Sequence, residues 1–180
     1  MEEDLELVNR CLNKEADAFA KIVDKYQKPI YNLGMRMFGN SDDAEDLTQS
    51  VFIKSWERLD SYDSKYKFVS WLYRIAVNES INYSKREKIK QSLDDEPADA
   101  NNFFESECEK NDLSSKIHQA LLGIDINYRM VIVLKHYMEL SYSEVAELTQ
   151  IPEKTVKSRL FSARQLLKNI LLKEGILNNE

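Results

Sequence analysis

The side chains of this 180-residue chain best suited to chemistry lie between positions 154 and 165. Lys154, Thr155, Lys157, Ser158, Arg159, Ser162 and Gln165 share one side of a helical repeat, and almost no acid stands among them. The opposite side carries Val156, Leu160, Ala163, Leu167 and Ile170, at steps of four, three, four and three, the pattern of one buried face. A basic, hydroxyl-bearing helix face can read base edges in the major groove. Lys and Arg meet guanine acceptors and phosphates there, and Ser or Thr can serve either partner. On an ordinary helical hairpin the same face would simply be solvated.

A second constellation lies upstream. Tyr62, Tyr66, Phe68, Trp71, Tyr73 and Tyr83 are interleaved with Lys65, Lys67, Arg74, Lys85, Arg86, Lys88 and Lys90, and Asn78 and Asn82 stand one helical turn apart. Aromatic rings stack on unpaired bases while neighbouring cations hold phosphates. Phe68 and Trp71 also suit a core; Tyr62, Tyr66, Asn78, Asn82 and the basic run are harder to place in one. Catalysis has no comparable support. His118 and His136 are solitary on helical segments, the four glycines form no phosphate loop, and no metal-ligand spacing occurs. The pairs Asp42/Asp43 and Glu45/Asp46 read as helix N-terminal charges rather than acid/base catalysts. Binding without enzymatic activity, metal or cofactor is therefore expected.

These groups need rigid supports, and the periodicity supplies helices. Ser141 and Glu144 have capping-box spacing ahead of Val145, Ala146 and Leu148. Gln150, Ile151 and Pro152 then make a tight turn into the basic helix, with Pro152 suited to its first turn. A short helix, a tight turn and a polar second helix suggest a helix-turn-helix. Further helices are predicted at 4–12, 17–38, 41–59, 68–90, 113–122 and 126–138. Pro29 should kink or split the second of these, Gly39 and Asn40 should stop it, and Ser41 should cap the next. The apolar stripe of that next helix is Ala44, Leu47, Val51, Phe52 and Trp56. The expected fold is all-α: two small helical domains, 1–91 and 113–175, joined by a flexible acidic linker, 92–112.

Charge supports the division. The net charge is −6, unusual for a nucleic-acid binder, but eight acids fall between Asp94 and Asp112 against Lys110 alone. Six bases fall between Pro152 and Lys173 against Glu153 alone. Partners respond to such local fields, so DNA binding by the free chain should be weak or gated. Cys11 and Cys108 lack CxxC spacing and read as reduced thiols. The acidic first residues do not form a signal peptide, and no apolar run approaches a membrane span, so a soluble cytoplasmic protein without membrane insertion is expected.

The stretches DAFAKIVDKYQKPIYNLGMRMFGNSDDAEDLTQSVFIKSW, FVSWLYRIAVNESINYSKR and YSEVAELTQIPEKTVKSRLFSARQLL, in this order, resemble the extracytoplasmic-function (ECF) sigma factors of bacterial RNA polymerase, in the sigma-70 family. The resemblance spans nearly the whole chain. It implies that the first domain binds the −10 promoter element, the second the −35 element, and both core polymerase, aiding promoter melting. Asp46, Leu47, Gln49 and Phe52 are similar to the surface that docks on the clamp helices of the largest polymerase subunit; the flap of the second-largest subunit is the other implied contact. The 60–67 loop, with Tyr62 and Tyr66, and the helix after it, with Arg74, Asn78, Asn82, Lys85 and Arg86, match the part that captures a flipped −10 base and the non-template strand. Lys157, Ser158, Phe161 and Ser162 match the face that enters the −35 major groove, flanked by Lys154, Thr155 and Arg159. An anti-sigma factor is the further implied partner. Ser50, where members often carry an acid, and Asn127, without a neighbouring Pro, depart from the pattern. The alternative reading, a helix-turn-helix regulator with an N-terminal signal-sensing domain, would require strands that the first half does not show.

Overall fold

The computed structural model describes residues 2–93 and 112–177, and the described residues form α-helices joined by short turns. The first unit comprises α1 (Glu2–Leu12), α2 (Ala16–Phe38), α3 (Ser41–Glu57), a tight turn at Leu59–Ser61 and α4 (Phe68–Leu93). α2 is not split at Pro29: the helix runs on through it, forgoing the one amide that proline lacks. Gly39 ends α2 in the left-handed region, φ 85°, donating its N–H to the Met35 carbonyl, a conformation that favours glycine. Asn40, rather than Ser41, caps α3. Its backbone is extended and its side-chain oxygen accepts the Asp43 amide at 2.8 Å, which makes Ser41 the first helical residue.

Ile22, Ile30, Leu33, Met37, Val51, Phe68 and Leu72 close the core of this unit. α1 is fastened to α2 by its buried Asp4, whose carboxylate accepts from the Tyr26 hydroxyl at 2.9 Å and the Lys25 ammonium at 2.7 Å. Burial and the Asp4 contact both push the Tyr26 phenol well above its ordinary range. Trp56, expected on the buried stripe of α3, is instead half-exposed and edge-on to Phe19, with ring centroids 4.9 Å apart.

The second unit comprises α5 (Asp112–Leu122), α6 (Ile126–Ile132), a wide turn at Val133–Tyr137, α7 (Tyr142–Thr149) and α8 (Glu153–Lys173). The single helix predicted over 126–138 therefore changes character after Ile132: the Met138 amide reaches back five residues to the Val133 carbonyl at 3.1 Å. Met130 to Leu134 are all buried, which accounts for the continuous apolar run MVIVL. The capping box at Ser141 and Glu144 forms as predicted, and Gln150 turns the chain in the left-handed region ahead of Pro152, the N-cap of α8. The acidic stretch 94–111 lies outside the described residues.

The two units touch. The Arg129 guanidinium donates to the carbonyls of Leu122, Ile124 and, across the boundary, Met37. Burial lowers its pKa to about 10. The Arg36 guanidinium lies 3.8 Å from the centroid of the Tyr137 ring, and Arg74 pairs with Glu147 at 2.8 Å.

Candidate nucleic-acid and polymerase interfaces

On α8 the inward residues Val156, Leu160 and Ala163 anchor the helix and leave a polar face outward. Lys154, Lys157 and Ser158 are exposed, while Thr155, Arg159 and Ser162 are half-buried at its margins. Phe161 is 66% exposed, an apolar ring on an otherwise polar face. Apolar side chains in such a position can meet a thymine methyl group. The Lys157 ammonium lies 2.6 Å from Glu153, one turn earlier, and 5.4 Å from the centre of the Tyr142 ring. The hydrogen bond to Glu153, and then its charge, raise the Lys157 pKa. Lys135 lies 5.0 Å from the same ring. Both lysines thus lie within reach of the Tyr142 ring, a contact between elements that the periodicity of its own helix does not reveal.

The aromatic-basic region separates into supports and exposed groups. Tyr62 packs against Phe68 and Trp71, with centroids 5.5 and 5.6 Å away, and its hydroxyl donates to the Tyr66 carbonyl at 2.6 Å. Tyr62 is half-buried, and that burial raises its phenol pKa. Tyr66, Asn78, Asn82, Lys85 and Arg86 are exposed. Tyr62, Tyr66, Trp71, Arg74 and Asn78 line a cleft of about 290 Å³, with Glu147 of α7 on its far lip. Tyr83 is apart from this cleft: its hydroxyl bonds Asp43 and its ring lies against Phe38. The side chains of Lys88 and Lys90 lie outside the described residues.

On α3 the four residues expected to dock divide. Asp46 and Gln49 are exposed, but Leu47 and Phe52 are only 3% and 7% exposed and belong to the core. Ala44, Leu47, Val51, Phe52 and Ser55 share the inward face, so Leu47 and Phe52 support the surface without forming it. The outward row is Asp46, Gln49, Ile53 and Trp56, at steps of three, four and three. Ile53 was missed by the sequence reading; its displacement from the inward stripe is the signal that would have found it. Gln49 also lines a shallow groove with Gln27, Lys28, Tyr31 and Glu45.

Comparison with known proteins joins these faces to a family. Sigma-70 region 2 matches residues 22–89, and sigma-70 region 4 matches residues 114–167. The chain is 39% identical over 169 residues to the ECF RNA polymerase sigma factor SigW of Bacillus subtilis (strain 168), covering 87% of this chain and 90% of that one. It is 34% identical over 175 residues to the ECF RNA polymerase sigma-E factor of Escherichia coli (strain K12), covering 91% of each. Among solved structures it shares its fold with the sigma factor RpoE from Bartonella quintana, seen in complex with the anti-sigma factor NepR (TM-score 0.73, 23% identity, 85% of this chain and 96% of that one). CnrH in complex with the cytosolic domain of CnrY is also similar (TM-score 0.67, 24% identity, 94% of this chain and 97% of that one). The chain belongs to the ECF sigma factors of the sigma-70 family, and its function is to direct RNA polymerase to promoters.

Proposed function

We propose that residues 1–91 bind core polymerase and the −10 element, that residues 113–175 bind the −35 element, and that residues 92–112 tether the two. The observation that carries this reading is the separation of two kinds of exposed face on different helices. At the cleft, Tyr66 and Asn78 stand with Arg74, and Asn82, Lys85 and Arg86 are exposed further along α4, a set suited to stacking, amide hydrogen bonding and phosphate contact with an unpaired strand. On α8, Lys157, Ser158 and Phe161 face outward from a packed helix-turn-helix, suited to a duplex groove. Asp46, Gln49 and Ile53 of α3 dock on the clamp helices of the largest subunit, and the second unit meets the flap of the second-largest.

The protein works in the cytoplasm, by binding and not by catalysis, and needs no cofactor. Its acidic total fits a factor that meets DNA chiefly inside the polymerase complex, where the enzyme supplies much of the cationic surface. An anti-sigma factor restrains it. The similar structure of RpoE in complex with the anti-sigma factor NepR supports that assignment.

The test is transcription in vitro with bacterial core polymerase and a promoter library, with and without the protein. It should create start sites that core polymerase lacks. Replacement of Tyr66 and Asn78 by Ala should then weaken holoenzyme binding to a pre-melted −10 fragment while sparing the −35 duplex. Unchanged affinity for the pre-melted fragment would remove the −10 assignment.

A further inference from the structure

We infer that Glu153 is a specificity-determining residue of the −35 reading face: paired with Lys157, it reads the major-groove edge of one G·C base pair, its carboxylate accepting from the cytosine amino group while the ammonium donates to guanine. This rests on the assignment of α8 to the −35 element. Between Pro152 and Lys173 six bases stand against Glu153 alone, so a single carboxylate is set in a helix otherwise suited to an anionic duplex. That carboxylate is not turned away from the reading face. Glu153, Lys157 and Phe161 are all exposed and follow one another at steps of four, so the acid heads the row assigned to the groove.

The two charges are arranged in advance. Lys157 Nζ lies 2.6 Å from Glu153 Oε1, and the Tyr142 ring of α7 approaches the same ammonium with its centroid at 5.4 Å. Contacts from two helices hold Lys157 beside the carboxylate, which reduces the side-chain freedom lost on binding. A donor next to an acceptor complements a G·C edge. Guanine offers the ammonium two neighbouring acceptors, N7 and O6, and the cytosine amino group follows them for the carboxylate. In an A·T pair the amino group separates the acceptors and the thymine methyl crowds the far side, so the ammonium cannot take two at once.

The same carboxylate acts against other sites. In solvent the pair is weak, because the Lys157 and Glu153 side chains keep 56% and 44% of their surfaces exposed and salt screens their attraction. Beside a base pair with no amino group in reach, the acid meets the phosphate field without a donor and is repelled. Discrimination then arises from what Glu153 rejects as well as from what it bonds. An acid in the first turn also suits the helix dipole, but that role would stabilise α8 and leave base preference untouched. Base preference therefore separates the two roles.

The experiment uses the full chain in holoenzyme, with duplex fragments of a selected promoter carrying each of the four base pairs at every −35 position. At one position wild type should favour G·C over the other pairs by about tenfold. Glu153→Ala should lose most of that preference. Glu153→Gln should move it to A·T, because an amide both accepts from and donates to adenine. Each value is a ratio between duplexes, so a change in the folded fraction of a variant cancels. The inference is overturned by a Glu153→Ala holoenzyme that keeps the wild-type preference at every position, by a Glu153→Gln holoenzyme that still favours G·C there, or by a wild type that reads the −35 element without favouring G·C anywhere. A wild-type holoenzyme indifferent to every −35 pair would instead overturn the −35 assignment, and this inference with it.

Discussion

Neighbouring residues on these helices have different work because a 100° step separates solvent from core. Lys157 and Ser158 lie outward while Val156 and Leu160 lie inward. Lys157→Ala and Ser158→Ala should therefore leave the melting temperature unchanged and alter which −35 bases are preferred, each lost base contact costing about 1–3 kcal/mol. Arg159, at the margin, should act on phosphate, so Arg159→Ala should weaken all sequences evenly and lower the salt dependence. Holoenzyme binding to a −35 substitution series at two salt concentrations measures both, and an unaltered base preference in the first two variants would exclude this face as the reader. On α3, Leu47→Ala and Phe52→Ala should destabilise the first unit by roughly 2–5 kcal/mol, as buried large-to-small changes do. Gln49→Ala should spare stability and weaken polymerase binding. Denaturant melts beside polymerase co-elution separate the two, and an unstable Gln49→Ala or a stable Leu47→Ala would reverse the division.

Elements are held in register by contacts that no single helix contains. α2 and α3 approach closely at Gly34, where a Cβ would meet the Ala44 Cα at 2.8 Å and its Cβ at 3.0 Å. The obstacle is backbone, which cannot swing aside, so Gly34→Ala must push α3 outward. A loss of about 1–3 kcal/mol is expected for such overpacking. Asn32→Ala, on the exposed side of the same helix, is the control and should melt like wild type. Equal melting of the two variants would show that the helices tolerate separation. The row Asp46, Gln49 and Ile53, proposed to dock on polymerase, rides on α3, so Gly34→Ala should also lower polymerase affinity although no residue of the row has changed.

Across the whole molecule, the boundary between the units carries a pH-sensitive group. His118 on α5 has its pKa lowered by burial first, then by the charges of Arg36 and Arg129. Above the ordinary value of 6.5 the ring is neutral in folded and unfolded chains alike and contributes nothing to the pH dependence. As pH falls through 6.5 the unfolded chain takes up the proton first, so folding stability drops until the folded pKa is passed. His136 is lowered in the same sense by burial, Arg164 and Lys135, and adds to the drop. Stability should therefore decline as pH falls below the ordinary histidine value, and His118→Gln should flatten part of that decline. Denaturant titrations at several pH values measure it; a variant slope equal to wild type would assign the sensitivity elsewhere.

Local pattern determined much of this protein, because helices announce themselves through neighbours three and four residues apart. The stripe on α8, the Ser141–Glu144 capping box, the Gly39 stop and the order of helices were all legible, and the ordered stretches carried the family. Pattern also placed the outward cations of α8, since a packed stripe leaves a defined opposite face. The apolar stripe put Leu47 and Phe52 inward, where they lie, whereas family likeness set them on a docking surface, because likeness marks a position without marking which way its side chain turns. Pattern did not tell Asn40 from Ser41 as the cap, a choice made by one residue's extended backbone. The wide turn after Ile132, the edge-on contact of Trp56 with Phe19 and the approach of two lysines to the Tyr142 ring depend on packing against other helices. The pairing of Arg74 with Glu147 belongs to the tertiary structure alone: two polar side chains on different units carry no mark of each other in sequence, and only the docking of α7 over α4 brings their charges together.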